Sequence, residues 1–375
     1  MVTGFQGVCE EAAERWQVPA LVASDGQEVV AVGCDARTRF RIASITKPLT
    51  ALLALRLLDL DESTGVWPDD IRVRHLLAHT SGFDCELADG DNAAYGVGDD
   101  ALARCVADLP GVPRLVGIDT VWSYANSGYW LAAHLAAERA GTTFEDALAR
   151  EVLAPVGLEA TDFGEPDLAG TGSDARTDPY PRSRRPSGGL VSNIHDLARF
   201  ARWFLGAGAP QRVVQGKPIG GVYGLGLFGE RVGGVDVWGH SGSYGGFQSQ
   251  LLTVPARDAF FVGLTNASNG AKALAEIEDA FFERVVGAPR VRPPFLEPRP
   301  GELEAFAGTY ENCDTRIEVA AVGDTLVLRT EGEELVARKF RERGFRVPDG
   351  PHVNERFDFP LEGFGRFGSR LAVRV

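Results

Sequence analysis

The change of hydrophobic period along the chain is the feature that most restricts its fold. Short β-like runs occur in two groups, at residues 21–24, 28–33 and 39–43, then at 222–228, 235–238, 247–254 and 259–264. Between the two groups, apolar residues recur mainly at helical spacing. Strands at both ends of a helical middle predict an α+β fold, with one antiparallel sheet flanked by helices and an all-helical subdomain.

The helical segments are predicted from the same spacing. They cover residues 3–16, 44–60, 73–78, 100–108, 127–140, 143–153, 194–205 and 271–286. The helix at 44–60 is too dense in leucine for a surface helix, so we expect it to be central and buried. Proline is tolerated only near a helix start, so Pro48 predicts that Ser44 lies at or just before the first turn. Residues 164–189, rich in Gly, Pro and Arg, predict a long surface excursion.

The C-terminal part of the chain has a different pattern. Residues 292–300 (RPPFLEPRP) contain four prolines and predict a stiff linker. Residues 301–375 lack a helical period and predict a small all-β domain, either a sandwich or an incomplete barrel. Its short β candidates are at residues 315–319, 325–330, 334–340, 344–347, 356–359 and 370–375. We therefore expect a large domain at 1–291, which would carry the catalytic site. A linker at 292–300 and a small β-rich domain at 301–375 would follow it.

Charge and composition exclude several classes of partner. Thirty-eight basic against 52 acidic residues give a net charge of −14, which argues against a nucleic-acid partner. The sequence contains no run of about 18 apolar residues, so no membrane span is predicted. The N-terminal thirty residues lack the pattern of a secretory signal. The cysteines are odd in number, five, and form no CxxC pair, which favours reduced thiols. These features predict a cytoplasmic protein and leave the oligomeric state open.

The sequence Ser44-Ile45-Thr46-Lys47 is the first candidate for chemistry. Residues three apart share a face of a helix, so the Ser44 hydroxyl lies beside the Lys47 amine. A serine hydroxyl needs a neighbouring base to become a nucleophile, and a buried lysine amine loses its proton more easily than an exposed one. Lysine is rare here, with four in the chain, which favours a specific role for this one. The alternative is a helix cap with a solvated lysine.

Two further clusters carry polar groups at turns. Tyr124 and Asn126, in SYANSGY, precede a helix; a phenol near a lysine is a candidate general base, and an amide can bind a substrate amide. His240 and Gly242, in WGHSGSYGGF, follow a predicted strand, and the glycines would let a substrate approach the strand backbone. The alternatives are a helix cap with a core tyrosine, and a glycine-rich hairpin with a surface histidine.

The order SITK, YAN, HSG resembles the serine β-lactamase and penicillin-binding-protein superfamily, where the motifs are SxxK, SDN and KTG. A tyrosine in the second motif resembles the pattern of the class C branch. That branch also includes D-peptidases, esterases and transacylases. Two more stretches resemble the family, HLLAHTSG at residues 75–82 and SGGLVS at 187–192. The resemblance covers residues 5–290, and the C-terminal domain resembles lipocalin-like appendages of some members.

The resemblance implies a role for each motif residue. Ser44 is the nucleophile, and Lys47 and Tyr124 share its deprotonation, with the choice of base left open. The backbone N–H groups of Ser44 and Ser243 form an oxyanion hole. Asn126, His240 and Gly242 bind the substrate, with Asn126 holding either the acyl amide or Lys47.

His240 stands where relatives usually carry a lysine. Histidine is mostly neutral at pH 7, so it attracts a free substrate carboxylate less than a lysine does. This favours an ester, an amide or a peptide N-terminus as the ligand group. Arg182, Arg184 and Arg185, in the excursion, are candidates to restore positive charge near the cleft.

The predicted function is therefore a serine acyl-transfer enzyme. It would form an acyl-enzyme at Ser44 and hydrolyse or transfer the acyl group of a small ester, amide or D-amino-acid-containing peptide, including as a cytoplasmic biosynthetic transacylase. One alternative is a true β-lactamase or DD-peptidase. Another is a non-catalytic binding or sensor protein that keeps the fold.

No cofactor or metal is predicted. Residues 224–229 match GxGxxG by letter, but a β run follows them where a dinucleotide site needs a helix. His75 and His79 have a spacing that zinc sites use, but Leu76 stands where the expected glutamate would be. A small molecule is the expected partner.

Overall fold

The computed structural model describes residues 4–65, 71–84, 94–167, 170, 172–349, 352 and 354–375. Strands of the first part of the chain are β1 (Leu21–Ser24), β2 (Val29–Val32), β3 (Phe40–Arg41), β4 (Val191–Ser192), β5 (Val222–Tyr223), β6 (Phe228–Val232), β7 (Val235–Tyr244), β8 (Phe247–Val254) and β9 (Ala259–Thr265). Among the described residues, seven of them form one sheet in the order β2-β1-β9-β8-β7-β6-β5, and β3 pairs with β4 separately. β1 pairs antiparallel with β9, so both ends of the segment share one sheet as predicted.

Most helices follow the predicted segments, but those at 154–156 and 185–188 were not predicted. The helices are α1 (Phe5–Arg15), α2 (Thr46–Leu57), α3 (Val73–Leu77), α4 (Ala101–Asp108), α5 (Asn126–Ala140), α6 (Phe144–Leu148), α7 (Ala154–Val156), α8 (Arg185–Gly188), α9 (Ile194–Ala207) and α10 (Gly270–Val286). Thr143 and Asn193 cap α6 and α9, because each side chain accepts the backbone N–H three residues on. A short 3₁₀ turn, Ala43–Ile45, leads into α2.

Apolar cores cover both faces of the sheet. Along β1, Val22 belongs to the core shared with α2, α5 and α9, whereas Leu21 and Ala23 belong to the core shared with α1 and α10. Alternation with a period of two sends successive side chains to opposite faces, and both faces are covered by helices. This explains why β1 and β9 are apolar at almost every position.

α2 is buried along most of its length, as its leucine content predicts. Every residue from Thr46 to Ala54 is buried, and Leu49 and Leu53 have no exposed surface. The helix packs against α5, α8 and the 3₁₀ turn that precedes it. Its N-terminal turn therefore lies inside the protein, close to the sheet.

Two strand predictions need correction. The run 222–228 is not one strand, since residues 224–227 turn between β5 and β6, with Gly226 at a φ of 84° that only glycine adopts easily. β7 extends six residues beyond the predicted end at 238, so the HSG motif lies within a strand rather than after it. Glycine is required at position 239 of this strand, because a Cβ there would lie 1.9 Å from Leu251 O.

Eight more strands among the described residues close into an antiparallel barrel. They are β10 (Gly308–Glu311), β11 (Arg316–Val322), β12 (Thr325–Thr330), β13 (Glu333–Arg341), β14 (Gly344–Arg346), β15 (Arg356–Leu361), β16 (Phe364–Phe367) and β17 (Arg370–Arg374). The small all-β unit is confirmed, but it is a closed barrel rather than the sandwich or incomplete barrel that the sequence predicted. β10 and β16 were not predicted, because four-residue strands rich in Gly or polar residues carry little alternation.

The proline-rich segment lies against this barrel. Leu296 donates its N–H to Lys339 O at 2.8 Å, and the Arg338 and Arg346 guanidinium groups lie over the Phe295 ring. Residues 292–300 contain no helix or strand. The division of the chain into domains at this segment stays a prediction.

Two other predictions are corrected. The excursion at 164–189 is not wholly on the surface, since Pro186 and Ser187 in α8 are buried against α2. Cys313 is disulfide-bonded, so the expectation of five reduced thiols is wrong. The cysteine argument for a cytoplasmic location loses its support.

No helix in the described part of the chain is long and apolar enough to cross a membrane.

The burial of α2 predicts a large difference between two leucines of the same helix. Leu53→Ala should lower the free energy of unfolding by about 2–5 kcal/mol, since Leu53 is fully buried and truncation leaves a cavity. Leu55→Ala, at a half-buried position, is the matched control and should cost clearly less. Urea unfolding of both variants measures this, and equal losses would contradict a buried α2.

Candidate active site

Ser44 lies in the turn between β3 and α2. Ala43, just before it, has a φ of 43°, a conformation that residues with a Cβ adopt at a cost. The turn is tied to the sheet because Ile42 O accepts the Ser249 hydroxyl at 2.8 Å, and Ile42 N–H donates to Leu190 O at 3.0 Å. These bonds fix the backbone from which the half-buried Ser44 side chain projects.

Lys47 has no exposed surface, and its amine lies beside Ser44. Nζ donates to Ser44 Oγ at 3.1 Å and to Ser187 O at 2.6 Å. The amine also lies 4.7 Å from the centroid of the Tyr124 ring. The predicted neighbourhood of serine and lysine on one helical turn is present.

Ser187 is a functional residue that the sequence prediction did not include among the site residues. Its hydroxyl accepts the Trp130 Nε1–H at 2.9 Å and donates to Arg184 O at 3.0 Å, which fixes the peptide that receives Lys47. The SGGLVS stretch that resembles the family was the available signal, but it did not say which atom would be used.

Tyr124 brings a third group to the same point, because its hydroxyl donates to Ser44 Oγ at 2.9 Å. Its chain segment is held by His79, whose carbonyl accepts Ser123 N–H at 3.0 Å and whose Nδ1 accepts Ala125 N–H at 3.1 Å. The His79 and Tyr124 rings lie 4.3 Å apart. Burial, followed by the positive charge of Lys47, holds the pKa of His79 well below its ordinary value, so the ring is a neutral support.

β7 lies against the nucleophile turn at Gly242. A Cβ at this position would lie 2.2 Å from Ile42 O, 2.4 Å from Ser249 Oγ and 3.1 Å from Ala43 Cβ. Only glycine lets the strand approach the turn so closely. Gly242 therefore sets the distance between β7 and Ser44.

The backbone of Ser243 lies on an open edge of β7. A two-residue hairpin joins β7 to β8, and hydrogen-bonded and non-bonded pairs alternate from there, so Ser243, opposite Gln248, directs its N–H away from β8. On that other side, β6 pairs with Val235–Gly239. The Ser243 N–H thus lies beyond the part of β7 that β6 covers.

His240 is buried, with 3% of its surface exposed. Nδ1 lies 2.6 Å from Ser241 O, so Nδ1 carries the proton in the neutral ring, and Nε2 has no hydrogen-bond partner in the described residues. Burial, and then the positive charge of Lys47, lower the pKa of His240 to about 3. The third motif therefore holds a neutral ring near the serine, as expected for histidine in place of lysine.

The arginines considered as a source of positive charge are engaged elsewhere. Arg182 and Arg185 both pair with Glu145, at 3.0 and 2.7 Å. The Arg184 guanidinium lies over the Trp130 ring at 5.3 Å.

Asn126 is half-buried at the start of α5.

The Lys47 amine and the Tyr124 hydroxyl thus converge on the Ser44 oxygen. Residues 10–282 match the family model described as Beta-lactamase. The chain belongs to this family. The resemblance to the serine β-lactamase and penicillin-binding-protein superfamily is thereby confirmed.

Individual relatives agree with the family. Penicillin-binding protein 4 of Amycolatopsis lactamdurans is 30% identical over 331 residues, which cover 72% of this chain and 84% of the relative. The crystal structure of SurE with D-Leu is similar with a TM-score of 0.80 at 23% identity, covering 99% of this chain and 98% of that one. A class C β-lactamase from Rhodobacter sphaeroides has a TM-score of 0.61 at 17% identity, covering 74% of this chain and 99% of its own.

The neutral, buried His240 predicts an acid-dependent loss of stability. Its pKa is about 3 in the folded state and about 6.5 when exposed, so the unfolded state binds more protons as the pH falls below about 6.5. Wild type should therefore lose up to about 1.4 kcal/mol per pH unit that His240→Gln does not lose. The measurement is urea unfolding at pH 7 and pH 5, with His195→Gln as the exposed control.

The stability difference between wild type and His240→Gln should shift in favour of the variant at the lower pH. An unchanged difference would show that His240 is solvated or charged in the folded state.

Proposed function

We propose that the protein is a serine acyl-transfer enzyme that forms an acyl-enzyme at Ser44. The observation that carries the proposal is the double contact of Ser44 Oγ, which accepts hydrogen bonds from Lys47 Nζ at 3.1 Å and Tyr124 OH at 2.9 Å. Two groups able to exchange a proton with the same oxygen supply the base that a serine nucleophile requires.

The first half-reaction follows from these contacts. Ser44 Oγ attacks the carbonyl carbon of the acyl donor, and its proton passes to the Lys47 amine or the Tyr124 oxygen, whichever has lost its own proton. When the tetrahedral intermediate collapses, the bond to the leaving amine or alcohol breaks and that group takes the proton. Water or an amine then attacks the acyl-enzyme by the reverse sequence and frees Ser44. The choice between the two bases stays open.

The developing negative charge on the carbonyl oxygen needs donors. We assign this role to the backbone N–H groups of Ser44, at the first turn of the helical segment, and Ser243, on the open edge of β7. Preorganised N–H donors stabilise an oxyanion strongly because they need no reorganisation during the reaction. The close contact at Gly242 supports this assignment, since it places β7 directly against the turn that carries Ser44.

The acyl donor is proposed to be a small ester, an amide or a peptide that contains a D-amino acid. The neutral ring of His240 does not supply the cation that would hold a free carboxylate at the third motif. The similarity to the structure of SurE with D-Leu supports a D-amino-acid ligand. Asn126, His240 and Gly242 as substrate contacts, the transacylase role and a cytoplasmic location all stay predictions.

A true β-lactamase or DD-peptidase is the second candidate, favoured by the 30% identity to a penicillin-binding protein. It differs from the first in needing a free carboxylate beside the reacting carbonyl. A non-catalytic sensor would not need the contacts of Lys47 and Tyr124 with Ser44.

A fluorophosphonate probe tests the nucleophile. Wild type should gain one adduct by intact mass, and Ser44→Ala should gain none. Lys47→Met and Tyr124→Phe should be labelled about 10²- to 10⁴-fold more slowly, because general base assistance is worth that much. Tyr95→Phe, which removes a phenol bound to Asp108 on the surface, is the matched control and should react like wild type. An equal adduct on Ser44→Ala would reject the proposal.

A substrate panel separates the candidate functions. We expect turnover of activated esters and D-aminoacyl amides, with L-aminoacyl amides slower, and slow acylation by a chromogenic cephalosporin. Each substrate is tested with and without an added amine, since a transacylase gives the amide product and a hydrolase gives the acid. Fast turnover of the cephalosporin would favour the β-lactamase instead.

A further inference from the structure

We propose that the C-terminal barrel is part of the catalytic apparatus, because its β16–β17 hairpin positions Tyr124, with Arg366 as the positioning residue. The inference rests on the proposed function, in which Tyr124 exchanges a proton with Ser44. It assigns a role to the barrel, which lies beyond the match to the Beta-lactamase family at residues 10–282.

The hairpin contacts the Tyr124 segment by two hydrogen bonds, one between backbone groups and one to a side-chain hydroxyl. Tyr124 N–H donates to Ser369 O at 2.9 Å, where Ser369 lies in the turn between β16 and β17. Leu371 N–H, at the start of β17, donates to the Ser123 hydroxyl at 3.1 Å. The barrel therefore bonds directly to the tyrosine and to the residue before it.

Arg366 adds a third link from inside β16. Its side chain donates to Trp122 O at 2.9 Å and to Lys217 O at 3.1 Å, both in the part of the chain that precedes the barrel. Asp358 holds the other end of the guanidinium with two bonds, at 2.9 and 2.7 Å. Arg366 and Asp358 are 3% and 5% exposed, so this is a buried ion pair, and Asp358 also accepts the Arg341 guanidinium at 2.5 Å.

The Tyr124 segment is thus held from two sides. His79 receives the N–H groups of Ser123 and Ala125, and the barrel receives the N–H of Tyr124 and donates to Trp122 O. Alternate peptide groups point to opposite supports, as they would in a strand between two neighbours. Loss of the barrel side would remove the bonds on one side of the segment and leave those to His79 on the other.

The support of the Tyr124 segment affects the rate of the proposed reaction. The Tyr124 hydroxyl must stay within hydrogen-bond distance of Ser44 Oγ, now 2.9 Å, and a misplacement of about 1 Å can cost about 10²-fold in rate. A buried arginine that bonds the backbone next to the tyrosine restricts that displacement. A barrel without a role in positioning Tyr124 would not need a buried guanidinium that donates to Trp122 O.

The test is a double-mutant cycle on the second-order rate of labelling by a fluorophosphonate probe. We expect Arg366→Ala to slow labelling of the full-length protein by about 10- to 10²-fold. In a Tyr124→Phe background the same substitution should have little further effect, because Arg366 acts through the tyrosine hydroxyl. Arg366→Lys, which keeps the charge beside Asp358 with fewer donors, should be intermediate.

Arg329→Ala is the matched control, since Arg329 also lies on the barrel but pairs with Glu334 at the surface. It should be labelled like wild type. Circular dichroism checks the fold of each variant. If Arg366→Ala does not fold, Ser123→Ala removes a single barrel bond and should show the same loss in the wild-type background and its absence in Tyr124→Phe.

The outcomes separate this inference from the proposed function. Labelling of folded Arg366→Ala and Ser123→Ala at the wild-type rate overturns the inference and leaves the function standing. Equal slowing by Arg366→Ala in both backgrounds also overturns it, since the residue would then act on the fold in general. If wild type is not labelled at Ser44, the proposed function fails and the inference fails with it.

Discussion

A lysine amine without exposed surface, hydrogen-bonded to a serine hydroxyl and a backbone carbonyl, is the interaction around which the structure is arranged. Burying an amine is costly unless its donors are satisfied. Ser44 supplies one acceptor from the preceding turn, and Ser187 supplies another from a segment 140 residues away. The second acceptor requires α8 to pack on α2, which in turn requires the apolar residues that make α2 central.

Close packing around the buried lysine and Ser44 also accounts for the glycine and the strained residues near the site. β7 can reach the nucleophile turn only because Gly242 has no Cβ, and the turn itself has Ala43 at a positive φ. His79, which supports Tyr124, also has a positive φ, of 58°. His79 is held by its bonds to Ser123 and Ala125, and Ala43 follows Ile42, which bonds to Ser249 and Leu190, so the surrounding structure offsets the strain.

The sequence predicted the parts of the site that are close along the chain. Ser44 and Lys47 are one helical turn apart, and the family resemblance added Tyr124. The contact of Lys47 with Ser187 and that of Arg366 with Trp122 were not predicted, because they join residues 140 and 244 positions apart. The fold was predicted for a physical reason, since periods of 2 and 3.6 reflect local geometry. The length of β7 was missed because its glycines look like a turn, although they serve close packing.

The central claim is that Ser44 carries the acyl group during turnover, and trapping that group tests it most directly. An activated ester with a slowly hydrolysed acyl group is mixed with the enzyme, quenched in acid within milliseconds and analysed by intact mass and peptide mapping. The account predicts a burst of about one leaving group per chain. It also predicts that the acyl group is found on the peptide containing Ser44 and on no other. Steady turnover without a burst, or an acyl group on a different residue, would contradict it.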